Sequence, residues 1–393
     1  MPEIAPGNLL PYVLIMLVAM ASARLLARFM PPPLPGIPNG MLDAFRGYLA
    51  VGVFICHAMI WHAFLKTGHW QEPPSRFYTQ IGQAAVVLFF MITAFLFYGK
   101  VLDSHIRPMD WTRLFLSRVL RLVPAYLLAV VLLFVLMAVI SAGVRREPWS
   151  QLAREAGHWL FFTLRSDPPI NGDANTKFYV AGVTWTLVYE WYFYLTLPVL
   201  AILHGYRTPL WLVAFGILIW FSFGWPWIGL LSFVGGFIAA WLRGGRVARL
   251  VAAHPNWASL ISLCAMAATV SVFPGSFSWW PNLLLTIAFV PIALGADLFG
   301  LLRRHSAEVL GTVSYSMYLL HGLTLCVWFW LVLGTSWAST FSLSEHWLAL
   351  VLLTPVLVTL CVFSYRFVER PAIDAVPACL NWWRRQIARV AKS

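Results

Sequence analysis

Arg46 and His57 put two ionisable side chains into the otherwise apolar stretch MLDAFRGYLAVGVFICHAMIWH. At about 100° per residue, eleven steps bring a helix back to within about 20° of its starting direction, so the two residues share one face roughly 16 Å apart. A membrane-spanning helix then holds Arg46 at one surface and His57 near mid-bilayer. An ionisable group left in lipid is costly enough that it reads as functional by default. The plainer alternative for a buried imidazole is a hydrogen bond between helices. Asp43 lies on nearly the same stripe, and Ala50 and Val53 make a track of small residues along which a thin ligand fits.

Three further groups carry chemistry. In RLFLSRVLRLVPAYLL, Arg118 and Arg121 stand one helical turn apart ahead of Pro124. With Arg113 and Arg46 they give several planar, fork-shaped donors suited to phosphates, although arginines at a span end also serve as plain topology anchors. Glu190 lies in GVTWTLVYEWYFYLTLP among Trp185, Tyr189, Trp191, Tyr192 and Tyr194. Its carboxylate needs a partner, for which an imidazole on a neighbouring span is the natural choice. The rings around it suit stacking on sugars or, equally, an interfacial aromatic belt. Near the end His321 falls at the centre of a span, where a structural hydrogen bond is its expected role, and Arg366 and Glu369 sit one turn apart as an expected local salt bridge.

The elements that must position these residues are membrane helices. With 393 residues, 60% hydrophobic and 11% charged, the chain departs from a soluble domain, in which charged residues are about a quarter. The net charge of +12 is spread in short basic groups between apolar runs, which is how topology is written, and no basic domain exists to bind nucleic acid. Runs near 9 to 27, 47 to 65, 80 to 98, 123 to 141, 182 to 203, 208 to 224, 226 to 242, 256 to 273, 281 to 299, 309 to 333 and 346 to 364 predict about eleven transmembrane helices in an all-α polytopic protein. The division around Gly224, Trp225 and Pro226 is the weakest of these. Placing the N-terminus outside and the C-terminus in the cytoplasm puts 20 of the 27 basic residues, Arg46 among them, on the cytoplasmic side.

Five cysteines at 56, 264, 326, 361 and 379 show no metal-ligand spacing and read as packing residues; no metal is expected. The first 30 residues have no basic segment ahead of the apolar run, which predicts a first span rather than a signal peptide. The expected division is residues 1–40, an extra first span with the stiff connector PPPLPGIPNG; 41–373, the membrane domain; and 374–393, a basic tail. Within the domain, the external segment 142–178, with Pro148, Pro168, Pro169 and NGDAN at 171–175, is a candidate lid or acceptor-binding loop.

Together the motifs resemble the acyltransferase-3 family of integral membrane acyltransferases over about residues 41 to 373. Arg-x10-His appears as Arg46 and His57; FF-x-x-SGF as Phe89, Phe90, Thr93, Ala94 and Phe95; and R-x-x-R-x-x-P as Arg118, Arg121 and Pro124. WSLSVEEQFY resembles Trp185 to Tyr194, G-x-x-SY-x-x-YL-x-H resembles Gly311 to His321, and SYR-x-x-E-[RK]-P resembles Ser364 to Pro371. Thr93 and Ala94 replace Ser-Gly, Val188 replaces a Ser, and Trp191 replaces a second Glu.

The resemblance implies a ten-helix core, to which the first span here is additional, in a bacterial inner membrane. It implies transfer of an acyl group, acetyl by preference, from cytoplasmic acyl-CoA (acetyl-CoA) to a hydroxyl of a surface glycan or lipid-linked oligosaccharide. In that reading Arg46, Arg113, Arg118 and Arg121 hold the phosphates of coenzyme A. His57 is general base with Glu190 as its catalytic partner, and Asp43, Tyr315, His321, Arg366 and Glu369 support them. A transporter or flippase, using His and Glu as a proton relay, is the alternative; it lacks the inverted repeats with broken helices that such folds use.

Overall fold

Within lipid a polypeptide must satisfy its own backbone, and a helix does so inside one segment. The computed structural model describes residues 8–32, 40–73, 75–105, 108–163, 166–206, 208–222 and 227–390. Most of the proline-rich connector, the 224–226 division, Arg107, Arg165, Arg207 and Lys392 lie outside them. In chain order the helices are α1 (Leu10–Leu26), α2 (Gly40–Thr67), α3 (Arg76–Leu102), α4 (Trp111–Ile140), α5 (Trp149–Leu160), α6 (Thr176–Tyr179), α7 (Thr184–Leu203), α8 (Leu210–Ser222), α9 (Trp227–Leu242), α10 (Arg246–Ala253), α11 (Pro255–Val272), α12 (Trp279–Ala293), α13 (His305–Thr312), α14 (Ser314–Cys326), α15 (Thr335–Ala338), α16 (Leu343–Ser364), α17 (Arg370–Asp374) and α18 (Val376–Val390).

Among the described residues eight segments, built on α1, α2, α3, α4, α7, α11, α14 and α16, are long and apolar enough to cross a membrane. The chain is therefore an all-α polytopic membrane protein. Where the other three spans were expected stand α8, α9 and α12, of 13, 16 and 15 residues, shorter than the roughly 20 residues that cross a hydrocarbon core of about 30 Å.

The middle of the bundle is α2, which packs on α3, α13 and α14. Glycine sets its closest approach. A Cβ on Gly311 would sit 1.8 Å from Asp43 O, and one on Gly47 would sit 2.7 Å from Gly311 N. The run expected as one helix over 309 to 333 is consequently divided. α13 lies against the start of α2, the chain turns at Val313, and the span proper is Ser314–Val332.

Ala94 on α3, which stands where the family motif has glycine, is fully buried. The close approach is supplied from the other side: a Cβ on Gly236 of α9 would meet Ala94 Cβ at 2.6 Å and Met91 O at 2.1 Å. Helix ends are held by ordinary caps. Asp110 accepts from the Arg113 N–H at 2.9 Å, and Ser342 and Glu345 form a capping box at α16.

In segment 142–178 the described residues pack against the bundle through Trp159, which is buried. Its ring N–H donates to Pro168 O at 3.0 Å, and its own carbonyl accepts from the Tyr126 hydroxyl at 2.6 Å. Buried Glu155 accepts from Gln151 at 2.8 Å and from the Asn171 N–H at 3.2 Å. The NGDAN stretch is a turn, as expected, with Asn171 and Gly172 at φ of 55° and 77°.

Candidate active site

Three cavities adjoin one another in the bundle, each neighbouring pair sharing lining side chains. The central one, about 90 Å³, is lined by Arg46, Arg118, Arg121, Glu190, Thr93 and Tyr315 together with apolar residues of α3 and α7. A second, about 300 Å³, shares Arg121 and opens among Asp43, Glu308, Tyr365 and Arg370. A third, about 200 Å³, contains His57 and shares Val86 and Tyr318 with the central cavity; Glu72, Gln83, Trp185 and Phe277 complete it.

The central cavity gathers three of the four expected arginines. Arg46 pairs with Asp43 at 3.3 Å. Arg118 lies over the Phe97 ring at 5.0 Å, and its Nε is buried without a hydrogen-bond partner. Arg121 makes no hydrogen bond or ion pair among the described residues. Three guanidiniums facing one cavity carboxylate are a site for an anion. Arg113 stands apart: it is exposed at the start of α4 and does not line the cavity.

Glu190 is in this cavity, where its carboxylate accepts from the Tyr194 hydroxyl. Its partner is therefore a phenol one turn along its own helix, rather than the expected imidazole. Tyr315 donates to Leu122 O at 3.0 Å and holds α14 against α4. Trp191, where the family motif has a second carboxylate, packs edge-on to Phe162 of segment 142–178 at 5.7 Å.

The third cavity has a different chemistry. His57 Nδ1 lies 3.0 Å from Val53 O and 3.1 Å from His321 Nε2, and His321 Nδ1 lies 3.0 Å from Met317 O. A carbonyl can only accept, so both Nδ1 atoms carry hydrogen. His321 Nε2 is then an acceptor, and His57 Nε2 keeps a bare lone pair. His321 thus makes the hydrogen bond between helices expected from sequence, and its partner is His57. His346 supplies the contrast: fully buried and stacked on Phe329 at 4.7 Å, it donates from Nε2 to Ala58 O at 2.9 Å, a bond between helices away from the three cavities.

Two further expectations are corrected. Arg366 and Glu369 form no salt bridge, because residues 365–369 wind as a wider turn that takes them off one stripe. Arg366 donates to Phe29 O at 2.7 Å, while buried Glu369 accepts from the Ser316 hydroxyl. Nor does a channel run over Ala50, which is 1% exposed within the core; the arginine and histidine cavities instead adjoin at Val86 and Tyr318, which line both.

Tyr318, present in the matched motif, was given no role from sequence. It is bonded to Thr186 at 2.6 Å and Val183 O at 3.2 Å, and it forms part of the wall between the two cavities. Its signal was present, since Tyr315, Tyr318 and His321 recur every third residue along one helical stripe. Glu72 and Gln83, bonded at 2.8 Å, gave no such signal. Residues 39–366 match a family model described as an acyltransferase domain. No curated protein and no solved structure matches the chain.

Proposed function

The chain belongs to the acyltransferase-3 family, and from that premise we propose that it moves an acetyl group from acetyl-CoA on the cytoplasmic side to a hydroxyl of a glycan on the outer side. That it is a membrane acyltransferase follows from the family. The finer reading is supported by one observation, that the central cavity has neighbours on both sides, sharing Arg121 with one and Val86 and Tyr318 with the other as common walls. An anionic donor fits the arginine end, and its thin pantetheine arm fits the narrow central cavity. The glycan fits the opposite end, where Trp185 and Phe277 offer ring faces and Glu72 and Gln83 offer hydrogen bonds.

In this reading His57 Nε2 takes the proton of the sugar hydroxyl as its oxygen attacks the thioester carbonyl carbon. The tetrahedral adduct collapses with cleavage of the carbon–sulfur bond. The proton passes to the departing thiolate, which leaves as coenzyme A and returns His57 to its starting form. While His57 is protonated, its Nδ1–H donates to the neutral imidazole of His321 and to Val53 O. His321 therefore takes the stabilising role that sequence reasoning gave to a carboxylate. Glu190 serves the arginine cavity, orienting the donor through Tyr194 and the guanidiniums.

The test is acetyl-CoA hydrolysis by the purified protein with and without glycan, together with mass spectrometry of surface glycans from a deletion strain. Loss of an O-acetyl group from one glycan is expected. Unchanged glycans and no thioester cleavage would refute the reading.

A further inference from the structure

The first span lies outside the matched region, which begins at residue 39, yet it is built into the bundle. Ile15, Ala19 and Ala23 are fully buried against the rest of the protein, and α1 packs on α16 and α13. Its far end is fixed by two arginines of the last motif. Arg366 donates to Phe29 O at 2.7 Å and Arg370 to Pro32 O at 2.5 Å. Met30, Pro31 and Pro32, so held, form one wall of the 300 Å³ cavity.

Most charged groups of that cavity are already engaged. Asp43 pairs with Arg46 at 3.3 Å, Glu308 with His305 at 3.5 Å, and Arg370 with Asp374 at 2.8 Å. Buried Glu369 accepts from the Ser316 hydroxyl and forms no ion pair with Arg121. Arg121, shared with the central cavity, is the guanidinium left without a hydrogen bond or ion pair among the described residues. A roomy vestibule with an uncommitted arginine at its neck suits a ligand that is bulky and phosphate-bearing at one end and thin at the other.

We propose that the stretch following α1, Met30–Pro32, is a wall of the donor site, and that the vestibule it closes beside Arg121 seats the nucleotide end of the acyl-CoA donor. The added span is therefore part of the substrate machinery rather than a membrane anchor alone. This rests on the acyl-CoA reading above, and the experiment separates the two.

Met30→Glu and Met30→Gln are made in the full-length protein. Coenzyme A and pantetheine, which lacks the nucleotide, are measured as inhibitors of acetyl-CoA hydrolysis, with coenzyme A binding followed by calorimetry. A carboxylate in the vestibule repels phosphates, so Met30→Glu should weaken coenzyme A about tenfold and leave pantetheine within about twofold. Met30→Gln should resemble wild type toward both. Wild-type affinity of Met30→Glu for coenzyme A overturns the proposal while leaving the acyl-CoA reading in place. So does an equal loss in both variants, or an equal loss of coenzyme A and pantetheine, since either outcome reports packing. A wild-type protein that binds no coenzyme A overturns both.

Discussion

The arginine cavity and the histidine cavity are built by the same helices and have opposite chemistry. α2 gives Arg46 to one and His57 to the other, α7 gives Glu190 and Trp185, and α14 gives Tyr315 to one and Tyr318 to both. The arginine end holds formal charges with few direct partners, among them the unpartnered Arg118 Nε. At the histidine end the protein-facing nitrogens are satisfied within the protein and one lone pair of His57 is left over. Unsatisfied donors at one end are arranged to bind something. At the other, a held imidazole with a bare nitrogen is arranged to take a proton. In the proposed function, spacing along three helices therefore separates binding from chemistry.

The largest expected effect tests that separation at His57. His57→Ala should lower turnover by on the order of a hundredfold or more, the scale of losing a general base. Coenzyme A affinity, measured by calorimetry, should stay within about twofold. His57→Gln should fail as well, because it keeps much of the shape without the basicity. Near wild-type turnover in either variant would return His57 to the class of His346, a bond between helices.

The converse variants lie at the other end. Arg118→Ala and Arg121→Ala should each weaken coenzyme A binding by about 1 to 3 kcal/mol, the range for a charge-assisted hydrogen bond or an unpaired donor. The effect should fall on donor KM more than on kcat. Arg46→Lys should restore only part of what Arg46→Ala loses, because an ammonium cannot reproduce the planar fork. If these changes lower kcat and leave coenzyme A affinity untouched, the cavities are not divided as argued.

A smaller effect sharpens the histidine end. His321→Phe keeps bulk but removes the acceptor for His57 Nδ1–H, and turnover should fall roughly tenfold, the value of about one hydrogen bond. His321→Gln, which offers an acceptor oxygen, should recover part of it. A structural role would instead make Gln the worse replacement, since it leaves a polar amide in a packed site. Donor affinity should move in neither variant.

Much of this was legible in the sequence. Apolar runs gave the helices, because lipid leaves the backbone no other single-segment solution, and the eleven-residue interval gave Arg46 and His57. What the sequence could not give was which helix faces which. Glu190 was expected to seek an imidazole, and its Tyr194 partner was only four residues away on its own helix. His321 was expected to make a structural hydrogen bond, but that its partner is His57 could not be read, because the contact spans 264 positions of chain, beyond any local pattern. The vestibule wall at Met30–Pro32 was invisible for the same reason, since it depends on α1 docking beside α16.

The smallest expected effect is at Arg113, which sequence alone grouped with Arg118 and Arg121. All three belong to one basic cluster, and topology treats them alike. On α4, however, Arg113 is five residues from Arg118 and eight from Arg121, so it lies at the helix start, where its backbone N–H is taken by Asp110 and its side chain is exposed. A hydrated charge at that place contributes by long-range attraction, which salt screens within about 10 Å. Arg113→Ala should therefore change coenzyme A affinity by less than about twofold at physiological salt and somewhat more at low ionic strength, while Arg121→Ala remains weak at both. A loss at Arg113 as large as that at Arg121, and equally insensitive to salt, would mean that the donor's phosphates lie along α4 outside the cavity rather than at its neck.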